Sequence, residues 1–214
     1  MGSREHSHKK SAGGKGRRAP AFAHEAQAGR DPLESYAALI DLIDGHVARL
    51  VRAYGSRIAC RRGCSACCIL GTVNAIEAHV LIRAVRALPA RVRASLGRRL
   101  ERGGERPGCV LLSRGACLVY ESRPVICRTH GYPVLADGAV DVCPLNFRGV
   151  EELAPSYVLD LERLNTALAA MDVRFRTLID EPFFDQDRIP VSDLVERALS
   201  ACPGCGSTSR RAKN

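Results

Sequence analysis

Apolar residues recur at three- and four-residue steps along much of the chain after residue 31, which is the pattern of amphipathic helices. The first such stretch opens on Asp31–Pro32, a helix cap followed by a first helical proline, and it ends near Gly55. Pro89 separates the second stretch from the third, and Pro190 precedes the last. The predicted helices cover about 31–55, 72–88, 90–103, 156–175 and 191–200.

Between these helices the pattern changes. The segment CRRGCSACC (60–68) is interrupted by glycine and predicts an irregular loop. CVLLSRGACLVY (109–120) has two short apolar runs around a polar turn and predicts a small hairpin. Arg123–Pro124 begins a turn or short helix, and residues 129–155 are predicted to be mostly loop. The pattern therefore predicts a mainly α fold, a small helical domain around an irregular cysteine-rich core with a minor hairpin.

Composition agrees with helices. Hydrophobic residues make up 46% of the chain, and most are Ala, Leu and Val, with five Phe and no Trp. A chain of 214 residues is long enough for one ordinary domain with tails. We predict a disordered basic tail over 1–30, a metal-binding domain over 31–200, and a C-terminal tail over 201–214. Gly103–Pro107 is predicted to be a linker.

The net charge of +9 is concentrated at the two ends. Residues 1–30 carry a net +5 and residues 206–214 a net +3, which leaves +1 for residues 31–205. Basic tails contact phosphates without sequence preference. We therefore expect no nucleic-acid binding beyond weak contacts of the tails, and a nucleic-acid binder with structural zinc is kept as an alternative.

The ten cysteines have to be interpreted from the expected compartment. The chain has no run of about 18 uncharged apolar residues, so no membrane span is predicted. Its first thirty residues contain no apolar stretch typical of a secretory signal, so a reducing cytosol is expected. Closely spaced cysteines in a cytosolic chain indicate metal binding, whereas disulfides remain the alternative.

Eight of these cysteines fall in one half of the domain. Thiolate is a soft ligand that suits zinc, iron and iron–sulfur clusters, [4Fe–4S] included, and such centres usually take four protein ligands. Eight thiols therefore correspond to two sets of four, or to one four-sulfur site with spare cysteines. The predicted metal ligands are Cys60, Cys64, Cys67, Cys68, Cys109, Cys117, Cys127 and Cys143.

Two spacings within CRRGCSACC differ in what they allow. Cys64 and Cys67 are separated by two small residues, so both sulfurs can turn toward one ion. Cys67 and Cys68 are adjacent, with Cα atoms about 3.8 Å apart, and binding one ion with both would close a small strained ring. We expect this pair to serve two different metals, or two irons of one cluster.

Other residues near the cysteines have two interpretations each. Arg61, Arg62, Arg123 and Arg128 flank predicted ligands and can neutralise thiolate charge, or they are solvated surface arginines. His130 could complete a site of three cysteines and one histidine, or it is a polar loop residue. His79 is expected to be structural. The pair Cys202 and Cys205 is half of a zinc ribbon or a pair of free thiols.

These residues resemble a known family. CRRGCSACC, CVLL, CLVYESRPVICR, the later Cys-Pro and the pair Leu164–Asn165 are similar to the YkgJ-type cysteine-cluster family, which is described as a zinc- or iron-chelating CxxCxxCC domain. The resemblance covers about residues 58–175. It implies the same eight cysteines as ligands. The first spacing has three intervening residues instead of two, and the Cys202/Cys205 pair is additional.

The resemblance also opens an enzymatic alternative. A related branch is similar to flagellin lysine N-methylases, in which such a cluster accompanies methyl transfer from S-adenosylmethionine. No Ser/His/Asp arrangement, phosphate-binding loop or dinucleotide fingerprint occurs in the sequence, so it identifies no catalytic residue. The leading hypothesis is a cytosolic metal-binding protein whose partners are zinc or iron ions. The sequence identifies no protein partner.

Overall fold

The computed structural model describes residues 30–102 and 108–200. Apart from Arg30, the predicted basic tail lies outside these residues, as do the predicted linker Gly103–Pro107 and the 201–214 tail with Cys202 and Cys205. In the described ranges the α-helices are α1 (Pro32–Tyr54), α2 (Ala75–Ala87), α3 (Ala90–Glu101), α4 (Val125–Thr129), α5 (Leu161–Leu178) and α6 (Val191–Ser200).

Strands are short and form three small sheets in the described ranges. One sheet pairs β1 with β7 antiparallel, a second is the β2–β3 hairpin, and the third has the order β5-β4-β6. The strands are β1 (Thr72–Val73), β2 (Leu112–Ser113), β3 (Ala116–Cys117), β4 (Val134–Ala136), β5 (Ala139–Asp141), β6 (Leu159–Asp160) and β7 (Ile189–Pro190). The predicted fold class, mainly α with minor hairpins, is confirmed.

The first helix has the predicted boundaries. The carboxylate of Asp31 accepts a hydrogen bond of 2.9 Å from the N–H of Leu33, which satisfies one of the free donors at the helix start. Pro32 occupies the first helical position, where its missing N–H costs nothing. The helix gives way at Gly55 to a short 3₁₀ turn. Local sequence signals therefore determine both ends of α1.

The predicted start of the second helix at Thr72 is wrong by three residues. Thr72 and Val73 form β1, which pairs antiparallel with Pro190 and Ile189. The helix then starts after Asn74, whose N–H donates to Glu77 Oε2 at 3.3 Å. A strand pairing between residues far apart in sequence thus replaces the first predicted turn of the helix.

The segment 129–155 contains β4 and β5, which the sequence did not predict. Asp137 and Gly138 both have positive φ, 50° and 77°, as a two-residue hairpin turn requires. Strand β6 pairs parallel with β4, so the next helix cannot begin at residue 156. It begins at Leu161, where Asp160 accepts a hydrogen bond of 3.0 Å from the N–H of Arg163, and it ends at Leu178 instead of 175.

The hydrophobic core is built around α2, which packs against α5 and α6. Helix α1 packs against α5, and helix α3 packs against α6. The largest fully buried apolar side chains are Phe175, Ile43, Leu50, Ile76, Leu81, Leu96, Leu164, Ile189, Leu194, Val73, Val85 and Val125. Val125 is the first residue of α4, the helix that carries Cys127, so the core extends to a cysteine-bearing segment. None of the helices in residues 30–102 and 108–200 has the length and apolar content needed to cross a membrane.

Candidate metal centre

The eight predicted ligands come from separate segments that meet on one side of the core. Loop 58–71 carries four of them, Cys109 precedes β2, Cys117 ends β3, Cys127 lies in α4, and Cys143 follows β5. All eight are free thiols. One cavity of about 790 Å³ is lined by seven of the eight. These are Cys60, Cys64, Cys67, Cys68, Cys109, Cys117 and Cys127.

Loop 58–71 is irregular, as predicted, and consists of consecutive tight turns. The N–H of Cys64 donates to the carbonyl of Arg61 at 2.9 Å, and the N–H of Cys68 donates to that of Ser65 at 3.1 Å. Gly63 has a φ of +98°, a left-handed conformation that glycine adopts without strain. These turns place several cysteines on one short stretch of backbone.

The predicted hairpin docks directly on this loop. The N–H of Cys109 donates to the carbonyl of Cys68 at 2.6 Å. The hairpin pairs Leu112 with Cys117, and the N–H of Leu112 donates to the carbonyl of Cys109 at 2.9 Å. Cys68, Cys109 and Cys117 are therefore linked by backbone hydrogen bonds across three segments.

Helix α4 is held against α2 by Glu77. Its Oε1 accepts a hydrogen bond of 3.0 Å from the N–H of Val125, the first residue of α4. Pro124 precedes this helix, as predicted, and Cys127 lies in its middle. Glu77 is only 3% exposed, and burial raises the pKa of its carboxyl, partly offset by hydrogen bonds from Val125 and Asn74. Sequence reasoning assigned no role to Glu77.

Asn146 connects three segments around Cys60 and was also missed. Its Oδ1 accepts hydrogen bonds from the N–H groups of Ala59 and Cys60, at 2.8 and 3.2 Å. Its Nδ2 donates to Cys60 Sγ at 3.2 Å and to the carbonyl of Gly131. The residue is 4% exposed. The only local signal was a polar residue three positions after Cys143.

Gly131 lets Cys60 and Cys143 approach each other. A Cβ at this position would lie 2.9 Å from Cys60 Sγ and 3.4 Å from Cys143 Cβ. Cys143 therefore lies beside Cys60, although it is not among the cysteines that line the cavity. All eight predicted ligands are thus gathered in one region.

A comparison with protein families gives a match to this region of the chain. A family model described as "CxxCxxCC: Putative zinc- or iron-chelating domain" matches residues 59–144. Residues 59–144 are therefore similar to this domain. The match confirms the predicted resemblance, and its range includes all eight predicted ligands. A search of curated proteins and a search of solved structures each gave no significant match.

Burial is the largest cause of the raised pKa values among these thiols. It raises the pKa of Cys60, and the charges of Cys64, Cys143 and Cys67 raise it further, against a hydrogen bond from Asn146 that lowers it. Burial followed by the charges of Cys109, Cys117 and Cys68 raises the pKa of Cys127 to about 12. Metal binding must therefore displace protons from these thiols.

Burial is also the largest cause of the pKa shifts of three further thiols. Burial raises the pKa of Cys109, with further contributions from Cys117 and Cys68. Burial also raises the pKa of Cys67, where the charges of Cys68, Cys64 and Cys143 add to the shift. Burial raises the pKa of Cys68 as well, and the charges of Cys117 and Cys64 raise it further.

Of the arginines predicted to flank the ligands, Arg123 lies at the sulfurs. Its guanidinium lies 3.6 Å from the centre of the Tyr120 ring, and its Nε donates to the carbonyl of Tyr120 at 2.8 Å. Its charge lowers the pKa of Cys68 and Cys117, partly offsetting the effect of burial. Arg62 lies more loosely over the same ring, at 5.3 Å, and Arg61 lines the cavity.

Neither interpretation of Arg128 is right, because the residue is buried and does not line the cavity of the sulfurs. Its guanidinium forms an ion pair with Asp44 of α1 and donates to the carbonyls of Glu121 and Arg123. Although Arg128 follows Cys127 in sequence, consecutive side chains on a helix point about 100° apart. Arg128 therefore fixes α4 to α1 while Cys127 lines the cavity.

The two histidines differ in their surroundings. His79 packs edge-on against Phe175, with ring centroids 5.3 Å apart, and is tilted against Phe184. This agrees with its predicted structural role. His130 is exposed and lines the cavity near Cys127, so its position leaves both of its interpretations open.

The predicted ligands are all thiols, which are donors suited to a thiophilic metal. Eight thiols with buried amide and guanidinium donors beside them are the surroundings that zinc or iron requires. Among the described residues, no three His, Cys, Asp or Glu side chains converge closely enough to hold an ion as they stand. The sulfurs therefore surround the cavity without meeting at one point, and binding requires side-chain movement toward the ion.

Proposed function

We propose that the chain is a cytosolic metal-binding protein whose eight cysteines hold zinc or iron. The observation that carries this proposal is that seven thiols from four separate segments line one cavity, with the eighth beside Cys60. Free cysteines of this number in a reducing compartment are most useful as metal ligands. The match of residues 59–144 to a chelating domain supports the same function.

The local structure around the thiols explains why a metal would stabilise it. Loop 58–71 has no helix before β1, the hairpin strands are two residues long, and α4 is five residues long. Elements this short are marginal without additional constraints. Binding to thiolates contributes on the order of 10–16 kcal/mol in structural zinc sites, which is enough to organise such a region.

Residues beside the thiols would orient the ligands and balance their charge. Asn146 donates to Cys60 Sγ, and the guanidinium of Arg123 lies near Cys68 and Cys117. Four thiolates around a divalent ion leave a charge of about −2, which such donors stabilise. Zinc would supply a structural or Lewis-acid centre, and iron would supply a redox-capable one.

The test is elemental analysis and a visible spectrum of the full chain purified without oxygen. Zinc in a colourless sample, or iron in a brown one, supports the proposal and identifies the metal. A variant with Cys202→Ser and Cys205→Ser is the matched control and should retain the metal. A folded wild-type chain without stoichiometric zinc or iron contradicts the proposal, as does a melting temperature that chelation leaves unchanged.

A second candidate is a protein-modifying enzyme that uses S-adenosylmethionine beside the cluster. One observation favours it: besides the sulfurs, the cavity is lined by apolar side chains, which include Leu161 and Leu168 of α5, and by a few polar ones such as Asn165. A volume of about 790 Å³ lies in the range of small-molecule sites. Calorimetric titration of the metal-loaded chain tests it, and absence of binding at millimolar S-adenosylmethionine removes this candidate.

The nucleic-acid alternative depends on the basic residues of 1–30 and 206–214, which lie outside the described residues apart from Arg30. It stays a prediction. Deleting both segments tests it, since nucleic-acid binding that survives the deletion would have to come from the nearly neutral remainder of the chain.

A further inference from the structure

The adjacent residues Cys67 and Cys68 divide the eight thiols into two sets. The first set is Cys60, Cys64, Cys67 and Cys143, and the second set is Cys68, Cys109, Cys117 and Cys127. We infer that each set holds its own metal ion or cluster, so that the domain contains two metal sites joined by the peptide bond between Cys67 and Cys68. This inference rests on the proposed function and specifies its stoichiometry.

Contacts around Gly131 assemble the first set. The space at its Cα is bounded by Cys60 Sγ and Cys143 Cβ, so the two side chains are neighbours. Asn146 holds Cys60 in this place, because its Oδ1 accepts from the N–H of Cys60 and its Nδ2 donates to Cys60 Sγ. Cys64 and Cys67 follow on the same loop, separated by two small residues, so both sulfurs can turn toward one ion. Two segments, 60–67 and 143, thus supply the four thiols of the first set, and side-chain movement would bring their sulfurs to one ion.

Backbone hydrogen bonds assemble the second set. The carbonyl of Cys68 accepts from the N–H of Cys109, and the hairpin register places Cys117 opposite Leu112, whose N–H donates to the carbonyl of Cys109. Helix α4 adds Cys127 from the other side, anchored through the bond between Val125 and Glu77. Cys127 lines the same cavity as Cys68, Cys109 and Cys117.

The adjacent residues Cys67 and Cys68 are assigned to different sets. The N–H of Cys68 bonds back to Ser65 and the N–H of Ile69 bonds to the carbonyl of Cys67, so both cysteines lie in two overlapping tight turns. Binding one ion with both adjacent side chains would close a small strained ring. The spacing of Cys64 and Cys67 lets both turn toward one ion, whereas Cys68 is bonded through its carbonyl to the N–H of Cys109.

Different neighbouring groups would stabilise the thiolate charge of the two sets. Asn146 donates a neutral hydrogen bond to a sulfur of the first set, whereas the guanidinium of Arg123 lies near Cys68 and Cys117 of the second. Four thiolates in each set meet the usual demand of a zinc ion or of an iron–sulfur cluster. Neither set needs a ligand from the other.

The experiment is native mass spectrometry of the full chain, purified without oxygen, combined with alkylation of its thiols by iodoacetamide. We expect two metal centres in the wild type and all eight thiols protected. The double variant Cys60→Ser/Cys143→Ser should keep one centre, with Cys68, Cys109, Cys117 and Cys127 still protected. Cys109→Ser/Cys127→Ser should keep the other centre, and the control Cys202→Ser/Cys205→Ser should keep both.

Stepwise chelation of the wild type makes the test independent of variant folding. The thiols should become reactive four at a time, one whole set before the other. A single centre in the metal-loaded wild type overturns the inference, as does reactivity that appears across both sets together. A folded chain with no metal would instead overturn the proposed function, and the two failures are therefore distinguishable.

Discussion

The side-chain amide of Asn146 donates a hydrogen bond of 3.2 Å to Cys60 Sγ, although 86 positions separate the two residues. The same side chain binds the N–H groups of Ala59 and Cys60 and the carbonyl of Gly131. One buried amide therefore sets the distance between the start of the cysteine loop and the segment that carries Cys143. Such a residue would act on the proposed metal site through the cysteine that it positions.

Replacing Asn146 by aspartate should weaken metal binding with little change in volume. The carboxylate keeps the acceptor for Ala59 but loses the donor to the sulfur, and its negative charge repels a thiolate. Losses of this kind typically cost about 10–100-fold in metal affinity. Competition with a chromophoric zinc chelator measures the affinity.

Asn165→Asp is the matched control for this variant. Asn165 is exposed on α5 and lines the same cavity, so the same substitution there adds the same charge without removing a bond to sulfur. The affinity of the control should stay within about twofold of the wild type if the Asn146 bond is what matters. Equal losses in both variants would mean that general charge, and not the bond to Cys60, determines the affinity.

Substituting alanine for Gly131 should displace Cys60. The new Cβ would lie 2.9 Å from Cys60 Sγ, and the residue would have to keep a φ of +93°. The expected result is a loss of metal affinity together with a destabilisation of about 1–3 kcal/mol from the backbone alone. Metal content after dialysis and chemical denaturation measure the two effects.

Gly138→Ala separates backbone strain from the steric effect. Gly138 has a φ of +77°, but a Cβ there would meet nothing within 4 Å. Its variant should show a similar destabilisation and an unchanged metal content. If Gly131→Ala also keeps its metal, close packing at Cys60 is not required for binding.

Removing the carboxylate of Asp44 should loosen α4. Arg128 is 5% exposed in its side chain, so Asp44→Ala leaves a buried guanidinium with only the carbonyls of Glu121 and Arg123. Because Asp44 is 49% exposed, solvent screens part of the loss, and we expect about 1–2 kcal/mol in the free energy of unfolding. Urea denaturation of the metal-loaded chain measures it.

The acidic partner of an exposed pair provides the comparison for Asp44. Glu121 lies 3.9 Å from Arg62, and both side chains are largely in solvent. Glu121→Ala should change the free energy of unfolding by less than about 0.5 kcal/mol. An equal effect of the two variants would show that burial of Arg128 does not matter for stability.

The helices were predictable because their signals are local. Asp31, Pro32 and the apolar period lie within one segment and determine α1 without help from the rest of the chain. Strands β4 and β5 are three residues long, too short to show an alternation, so their segment was predicted to be loop although Asp137–Gly138 is a typical hairpin turn. The strand at Thr72 and the late start of α5 depend on pairing with distant residues, which no local pattern contains.

The candidate site was predictable to the extent that it depends on residue chemistry. Closely spaced cysteines in a chain expected in a reducing compartment indicate candidate metal ligands before any fold is known. Glu77 and Asn146 do not, because their roles arise from contacts with Val125 and Cys60, at separations of 48 and 86 positions. Arg128 was misplaced for a related reason, since proximity in sequence to Cys127 does not determine which side of α4 it occupies.

Stability should fall in acid partly because of His79. Its half-buried ring contacts Phe175 and Phe184, and burial, with smaller contributions from Arg83 and Arg86, lowers its pKa below the usual 6.5. The unfolded chain therefore binds the proton more readily than the folded chain. The stability associated with neutral His79 is fully present above the unfolded pKa and is lost as the pH falls through the folded pKa.

The variant His79→Leu isolates this contribution, because it keeps an apolar side chain against both rings and cannot be protonated. Between pH 8 and pH 5, the metal-loaded wild type should lose more free energy of unfolding than the variant. Burial also lowers the pKa of His46, and proton competition for the thiolates acts in both proteins, so the variant keeps part of the slope. Because these backgrounds are shared, the difference between the two slopes belongs to His79. Identical slopes in parallel urea titrations would mean that His79 is equally easy to protonate in the folded and unfolded chains, in contradiction to its packing against Phe175 and Phe184.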